Sequence, residues 1–247
     1  MTKGWDAVRV IAHRCGGSLA PENSLAGLNA AARAGFLAVE FDVMLTADGV
    51  PVVIHDETLD RTTGGTGRVA DRTLAQLRHW TCGKGWQGFE NEPIPTLDQV
   101  LDRCHALGLL PNVEIKPSFG ADVATGRVVA ERAMNQWAAL GGRPSEVLLS
   151  SFSVAALDAA QQVAPALPRA CLFETIPPDW RGQVEAVSAV AIHCAVEDFE
   201  AGLAAAATAG LALRCYTVND PARADGLFRQ GVQAVYTDDL AQFTAFL

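Results

Sequence analysis

From Thr96 to the end of the chain, short apolar runs alternate with longer stretches of helical spacing, and this alternation restricts the fold more than any other feature. The spacing predicts helices over 97–107, 121–139, 153–163, 181–187, 198–208 and 221–229, followed by a last short helix. The runs at 109–115, 146–151, 169–173, 189–193, 211–217 and 232–236 read as strands. Strands separated by helices pair in parallel, because a parallel crossover needs a dozen or so residues and usually supplies them as a helix. Upstream, strands at 8–13 and 37–43 flank a helix over 24–34, with Asn23 as its N-cap and Gly35 as its stop. The run at 52–55 breaks the rule. Only a turn at Ala47-Asp48-Gly49 precedes it, so it must fold back as a hairpin arm, with Val43 opposite Val53 and His55 across from Phe41. Setting that arm aside leaves eight parallel strands, the number that closes a TIM (β/α)8 barrel, with an open doubly wound sheet as the alternative.

The length of 247 residues suits such a barrel, and no low-complexity linker divides it. The reading is one domain over 1–247, with an irregular insertion at 57–92 following the arm. A net charge of −9 argues against partners such as nucleic acid or anionic membrane, and leaves a small-molecule substrate as the expected one. The opening run Met1-Thr-Lys-Gly-Trp-Asp6 has no apolar core of a leader, and no stretch is long and apolar enough to span a bilayer. Six scattered cysteines without a C-x-x-C pair read as reduced thiols. The expected compartment is the cytoplasm; nothing in the sequence sets an oligomeric state.

Chemistry-bearing residues gather where strands end, which in a barrel is the carboxyl face. The first strand ends in His13-Arg14. The second, Leu37-Ala-Val-Glu-Phe-Asp-Val43, carries Glu40 and Asp42 on one face and Val39, Phe41 and Val43 on the other. The third ends in Glu114-Ile-Lys116, with Asn112, Glu114 and Lys116 on one face. Neighbouring strands lie about 4.8 Å apart, so Glu40, Asp42 and Glu114 can converge. Two carboxylates about 4 Å apart repel by roughly 4 kcal/mol at an effective dielectric near 20, so a cation must answer them. Three carboxylates without a soft ligand suit one hard divalent cation, Mg²⁺ or Ca²⁺. A surface ion network with Arg14 and Lys116 is the plain alternative. His13 and His55 add two imidazoles at neighbouring elements, the acid and the base that phosphodiester cleavage needs. Arg14 and Lys116 would then hold non-bridging phosphate oxygens. His79 and His105 fall on helix patterns, and His193, ending a strand, reads as structural.

Together, His13-Arg14, Pro21-Glu-Asn23, Glu40-x-Asp42, Leu45-Thr-x-Asp-Gly49, Val53-x-His55-Asp56, Leu59-Asp-Arg-Thr-Thr63, Glu114-x-Lys116, Ser151-Phe152 and Thr217-Val-Asn219 resemble the glycerophosphodiester phosphodiesterases, in order along nearly the whole chain. The resemblance implies a TIM barrel with a small insertion after the second histidine. It also implies metal-dependent hydrolysis of glycerophosphodiesters to glycerol 3-phosphate and an alcohol. It carries metal ligation onto Glu40, Asp42 and Glu114, and acid–base catalysis onto His13 and His55. Two positions depart from the family pattern. Cys15 stands where Gly usually follows His-Arg, and Tyr216 replaces the usual Trp before Thr-Val-Asn, keeping an aromatic substrate wall of another size.

Other readings are a Mg²⁺ barrel doing enolate chemistry, a barrel that only binds phosphorylated metabolites, and a relative that acts on lipid headgroups. The first wants a Gly-rich phosphate cup after the last strands, which Tyr236-Thr-Asp-Asp-Leu240 does not offer. Mere binding needs neither paired imidazoles nor three carboxylates. For the insertion, Trp80, Trp86 and Phe89 are expected to form a satellite core on Leu74 and Leu77 that roofs the pocket, rather than a membrane-dipping cap.

Overall fold

The computed structural model describes residues 4–247; the start of the opening run, residues 1–3, lies outside the described residues. The strands are β1 (Val10–Ala12), β2 (Ala38–Leu45), β3 (Pro51–Val53), β4 (Leu110–Ile115), β5 (Leu148–Ser151), β6 (Arg169–Phe173), β7 (Ala191–Ala195), β8 (Ala212–Tyr216) and β9 (Ala234–Thr237). All but β3 pair in parallel with their chain-order neighbours, and β1 pairs with both β9 and β2, so the sheet closes. Among the described residues this is an eight-stranded α/β barrel, not an open sheet. The arm β3 lies antiparallel on β2 with Val43 opposite Val53, the register expected from the short turn.

The helices α1 (Leu25–Ala34), α2 (Leu74–Leu77), α3 (Leu97–Leu107), α4 (Asp122–Ala139), α5 (Val154–Val163), α6 (Trp180–Ala186), α7 (Phe199–Ala209) and α8 (Pro221–Arg229) follow the expected order. Several boundaries differ: β7 and β9 each begin two residues later than the expected 189 and 232. The closing helix is a 3₁₀ segment, Leu240–Phe246, and the run expected at 146–151 spends its first residue on a 3₁₀ turn, Pro144–Glu146. The start of α1 also differs. Ser24, not Asn23, is the N-cap: its hydroxyl accepts from the Gly27 amide at 2.9 Å. Asn23 sits at φ 56° and sends its side chain to β2.

The two faces of β2 meet different surroundings. Val39, Phe41 and Val43 point outward and pack with Leu28, Leu101, Val113 and Trp137 between barrel and helices. Full burial of Phe41 contributes about 1.5–3 kcal/mol relative to exposure. Ala38 points inward and joins Ile11, Leu110, Leu148, Trp5 and Tyr236 in an apolar plug of the barrel interior. The inner face past Ala38 is therefore free for Glu40 and Asp42. The insertion forms its own small core, where Leu59, Val69, Leu77 and Cys82 meet Met44, Val52 and Ile54, with Leu74 and Trp80 packed alongside. The six cysteines are unpaired and buried.

Candidate active site

Parallel pairing of β2 with β4 places Asp42 beside Glu114 and Glu40 beside Asn112. Ligand oxygens from Glu40, Asp42 and Glu114 all fall within 4.8 Å of one another, and the first two side chains are buried. The cluster is held from outside. The Arg14 amide donates to Glu40 Oε2 at 2.9 Å, Asn23 Nδ2 donates to Asp42 Oδ2 at 2.9 Å, and Lys116 Nζ lies 3.4 Å from Asp42 Oδ1. These contacts split the three acids. Burial pushes Asp42 up, but Lys116, His55 and Asn23 outweigh it and hold the group below its ordinary value. Burial, with the charge of Asp42, raises Glu114 to about 8 and Glu40 well above the usual carboxylate range. Glu40 Oε1 is buried without a hydrogen-bond partner. A buried orphan acceptor in an all-oxygen set fits a hard divalent cation.

The imidazoles are set by carboxylates on the far side of each ring. His13 Nδ1 lies 2.7 Å from Asp238 Oδ1, and His55 Nδ1 lies 2.7 Å from Asp56 Oδ1. An Nδ1–H donated to a carboxylate leaves Nε2 as the working nitrogen, and His13 Nε2 is 3.8 Å from Glu40 Oε2. Burial draws His55 below its ordinary value against the pull of Asp42 and Asp56. Behind Asp56 stands Arg61, delivered by the insertion. Its guanidinium bonds both Asp56 oxygens (2.6 and 2.9 Å) and both Glu22 oxygens (2.6 and 2.7 Å). Glu22 in turn accepts from Arg14 Nη1 at 3.1 Å. One fork from the insertion thus braces the supports of both His55 and Arg14.

Arg14 and Cys15 occupy left-handed backbone, at φ 48° and 73°. That conformation costs a residue with a Cβ about 1–2 kcal/mol, which explains why glycine suits the position after His-Arg. Here the strain is held by the Arg14 amide bond above and by the Cys15 amide, which donates to Glu40 O at 2.7 Å.

All eight residues singled out from the sequence (His13, Arg14, Glu40, Asp42, His55, Glu114, Lys116 and Tyr216) line one cavity of about 170 Å³. Phe152 forms a wall with Tyr216, their rings perpendicular and 6.2 Å apart, while the Tyr216 hydroxyl donates to Phe173 O. No insertion residue lines the cavity, contrary to the expected roof; Trp86 and Phe89 pack edge to face on each other instead. The supports Glu22, Asp56, Arg61 and Asp238 had no role assigned from the sequence, and Asn23 was assigned a different one, as a helix cap, although each lies inside or next to a quoted motif. Asn112, Ser150, His193 and Tyr236 also line the cavity; His193, read as structural at a strand end, lies inside β7, fully buried and bonded to Arg214 and Tyr236.

The raised acids predict a stability signature in metal-free protein. Between about pH 6.5 and about pH 8 the folded chain holds protons on Glu114 and Glu40 that the unfolded chain has released. Folded stability then falls as pH rises across that window. His55 acts in the opposite direction, because its folded value is depressed, but only below about pH 6.5. Thermal melts in chelator should therefore show Tm decreasing from pH 6.5 to 8, and a saturating divalent cation should remove the slope. A flat profile without metal would mean the three acids do not share charge.

The glycerophosphoryl diester phosphodiesterase family profile matches residues 13–242. Bovine glycerophosphodiester phosphodiesterase 1 is 47% identical over 102 residues, covering 40% of this chain and 31% of the relative. This chain thus spans about a third of the length of the mammalian relatives it matches. A glycerophosphodiester phosphodiesterase of Bacillus subtilis is 29% identical across 94% of this chain and 84% of its own length. Among solved structures, a phosphodiesterase of Oleispira antarctica in complex with the product sn-glycerol-3-phosphate superposes with a TM-score of 0.89, at 32% identity over 96% of both chains.

Proposed function

This chain belongs to the glycerophosphoryl diester phosphodiesterase family, and we infer that it hydrolyses water-soluble glycerophosphodiesters to sn-glycerol 3-phosphate and an alcohol. The observation that carries the reading is the arrangement of Glu40, Asp42 and Glu114 in one cavity with two imidazoles, each oriented by its own aspartate. Binding alone requires no such pairing.

In the mechanism we propose, His55 takes the proton from the attacking oxygen. Its depressed value keeps it neutral at pH 7, and Asp56 holds the ring so that Nε2 is the acceptor. His13, oriented by Asp238, gives a proton to the departing alkoxide. Lys116 and Arg14 hold non-bridging oxygens as negative charge builds on them. Arg14 is suited to this by a buried Nε without a partner. Glu40, Asp42 and Glu114 would hold Mg²⁺ or Ca²⁺, which supplies further charge neutralisation at the phosphoryl group. Tyr216 and Phe152 give the alcohol an apolar wall.

A cavity of about 170 Å³ suits a small deacylated diester, and among the described residues no helix is long and apolar enough to cross a membrane. One observation favours a second reading, action at a lipid surface. Phe119, 95% exposed in the loop after β4, and Phe152, half exposed in the loop after β5, stand at the mouth side of the barrel. A single assay series decides. Glycerophosphocholine should be turned over with Mg²⁺ or Ca²⁺, lose turnover in excess chelator, and regain it on adding metal back. Full activity in chelator would overturn the metal site. Comparable turnover of phospholipid in vesicles, with vesicle co-sedimentation, would favour the lipid reading.

A further inference from the structure

We propose that Ser150 reads the terminal hydroxyl of the substrate's glycerol group at the floor of the cavity, so that glycerol enters first and the departing alcohol stays at the aromatic mouth. This rests on the phosphodiesterase reading above and adds which half of the diester goes where.

Beneath the carboxylates a chain of polar side chains crosses the barrel: Arg214, His193, Tyr236, Asn112 and Ser150, each at most 3% exposed. A guanidinium can only donate, so Arg214 Nη1, 3.2 Å from His193 Nε2, makes that nitrogen an acceptor. The ring proton then sits on Nδ1, which donates to the Tyr236 oxygen at 3.1 Å. Tyr236 in turn donates to Asn112 Oδ1 at 3.3 Å, and Asn112 Nδ2 donates to Ser150 Oγ at 2.8 Å. Each donor is committed in one direction, away from a cation that cannot give up its proton. At the cavity end of the chain stands the hydroxyl proton of Ser150. Among the described residues it meets no acceptor, and Ser150 lines the cavity. A buried hydroxyl whose proton meets no acceptor in the protein, at the lining of a cavity, suits an oxygen on a ligand.

Height along the barrel says which oxygen. Ser150 pairs with Glu114, and Lys116 lies two residues nearer the mouth, about 6.6 Å along the strand. A phosphate held by Lys116 and Arg14 therefore stands above Ser150. An uncharged hydroxyl reaching down from the phosphate can meet Ser150 there, and the terminal hydroxyl of glycerol reaches farthest. On the aromatic wall the Tyr216 hydroxyl is already spent on Phe173 O and Phe152 is apolar, so neither competes with Ser150 for that hydroxyl.

The test compares glycerophosphocholine with the matching diester of propylene glycol, which keeps the hydroxyl next to the phosphate-bearing carbon but lacks the terminal one. Wild-type enzyme should favour the glycerol diester by about tenfold in kcat/KM, the worth of one good hydrogen bond. Ser150→Ala should erase the preference through a higher KM for the glycerol diester, with kcat little changed and the propylene glycol diester unaffected. Ser150→Cys, which keeps an acceptor for Asn112 but is a poor donor, should behave alike. A Tm rise on adding metal alone checks that each variant is folded with its acidic cluster intact. Equal wild-type turnover of the two diesters overturns the subsite while leaving the phosphodiesterase reading in place. A folded Ser150→Ala or Ser150→Cys enzyme that retains the wild-type preference overturns the role of Ser150. No wild-type turnover of either diester overturns the reading itself, and this inference with it.

Discussion

His55→Ala is expected to lower kcat by about 10²–10⁴, the usual worth of a general acid or base, with metal affinity near wild type. In activation free energy that is about 2.7–5.5 kcal/mol. The separation of chemistry from metal binding follows from the geometry. His55 spends Nδ1 on Asp56, and the three acids that converge on one point do not include it. His13→Ala should show a loss of the same size, because its Nδ1 is likewise spent on Asp238. Stopped assays give kcat, and calorimetric titration with Mg²⁺ or Ca²⁺ gives the affinity. A histidine variant that loses the metal but keeps residual turnover would have to be reassigned as a ligand. Asp56 provides an internal control. Asp56→Asn leaves the imidazole in place but weakens its orientation, so its loss should be real and smaller than that of His55→Ala.

How much of this was legible in the sequence depended on the range of the interaction involved. The hairpin arm was readable because a turn of a few residues excludes a parallel crossover, and the period of two in β2 then sets the register, Val43 opposite Val53. The acid triad was readable because alternate residues of a strand share a face and parallel neighbours keep their heights. The partners of these residues were not. Asn23 has the composition of a helix cap, and local propensity assigned it to α1, but its amide is engaged by Asp42 from another element. Ser24 was free to take the cap. Arg61 reaches Glu22 across the insertion, and Asp238 reaches His13 across the barrel seam, pairings that no local period encodes. The roof over the pocket failed as an expectation for a related reason. Aromatics among glycines signal packing somewhere, but which surface they cover is set by the return path of the chain. Likewise, the donor chain from Arg214 to Ser150 joins five strands, each contributing one of its polar residues, and a single strand shows only an unexplained polar position.

Glu114→Gln is expected to abolish most activity while making the metal-free protein more stable, and the pH at which stability is measured shows why. Glu114 is raised to about 8 by burial and by the charge of Asp42. At pH 5 wild-type Glu114 already carries a proton, and a protonated carboxyl and a carboxamide place no charge in the cluster. Wild type and variant should then melt together in chelator. At pH 8 wild type must hold a partly ionised third acid beside Asp42, and the variant does not. The variant should gain on the order of 1–3 kcal/mol there, and the decline in Tm from pH 6.5 to 8 should flatten, leaving only the contribution of Glu40. Adding a divalent cation should reverse the order. Wild type gains stability by mass action, whereas the variant, with one anionic ligand fewer, should bind the ion about a hundredfold or more weaker and gain little. Activity should follow the metal, so that raising the cation concentration recovers part of it. A variant that is less stable than wild type in chelator at pH 8, or that binds metal unchanged, would place Glu114 outside the cluster and leave the convergence of the three acids without function.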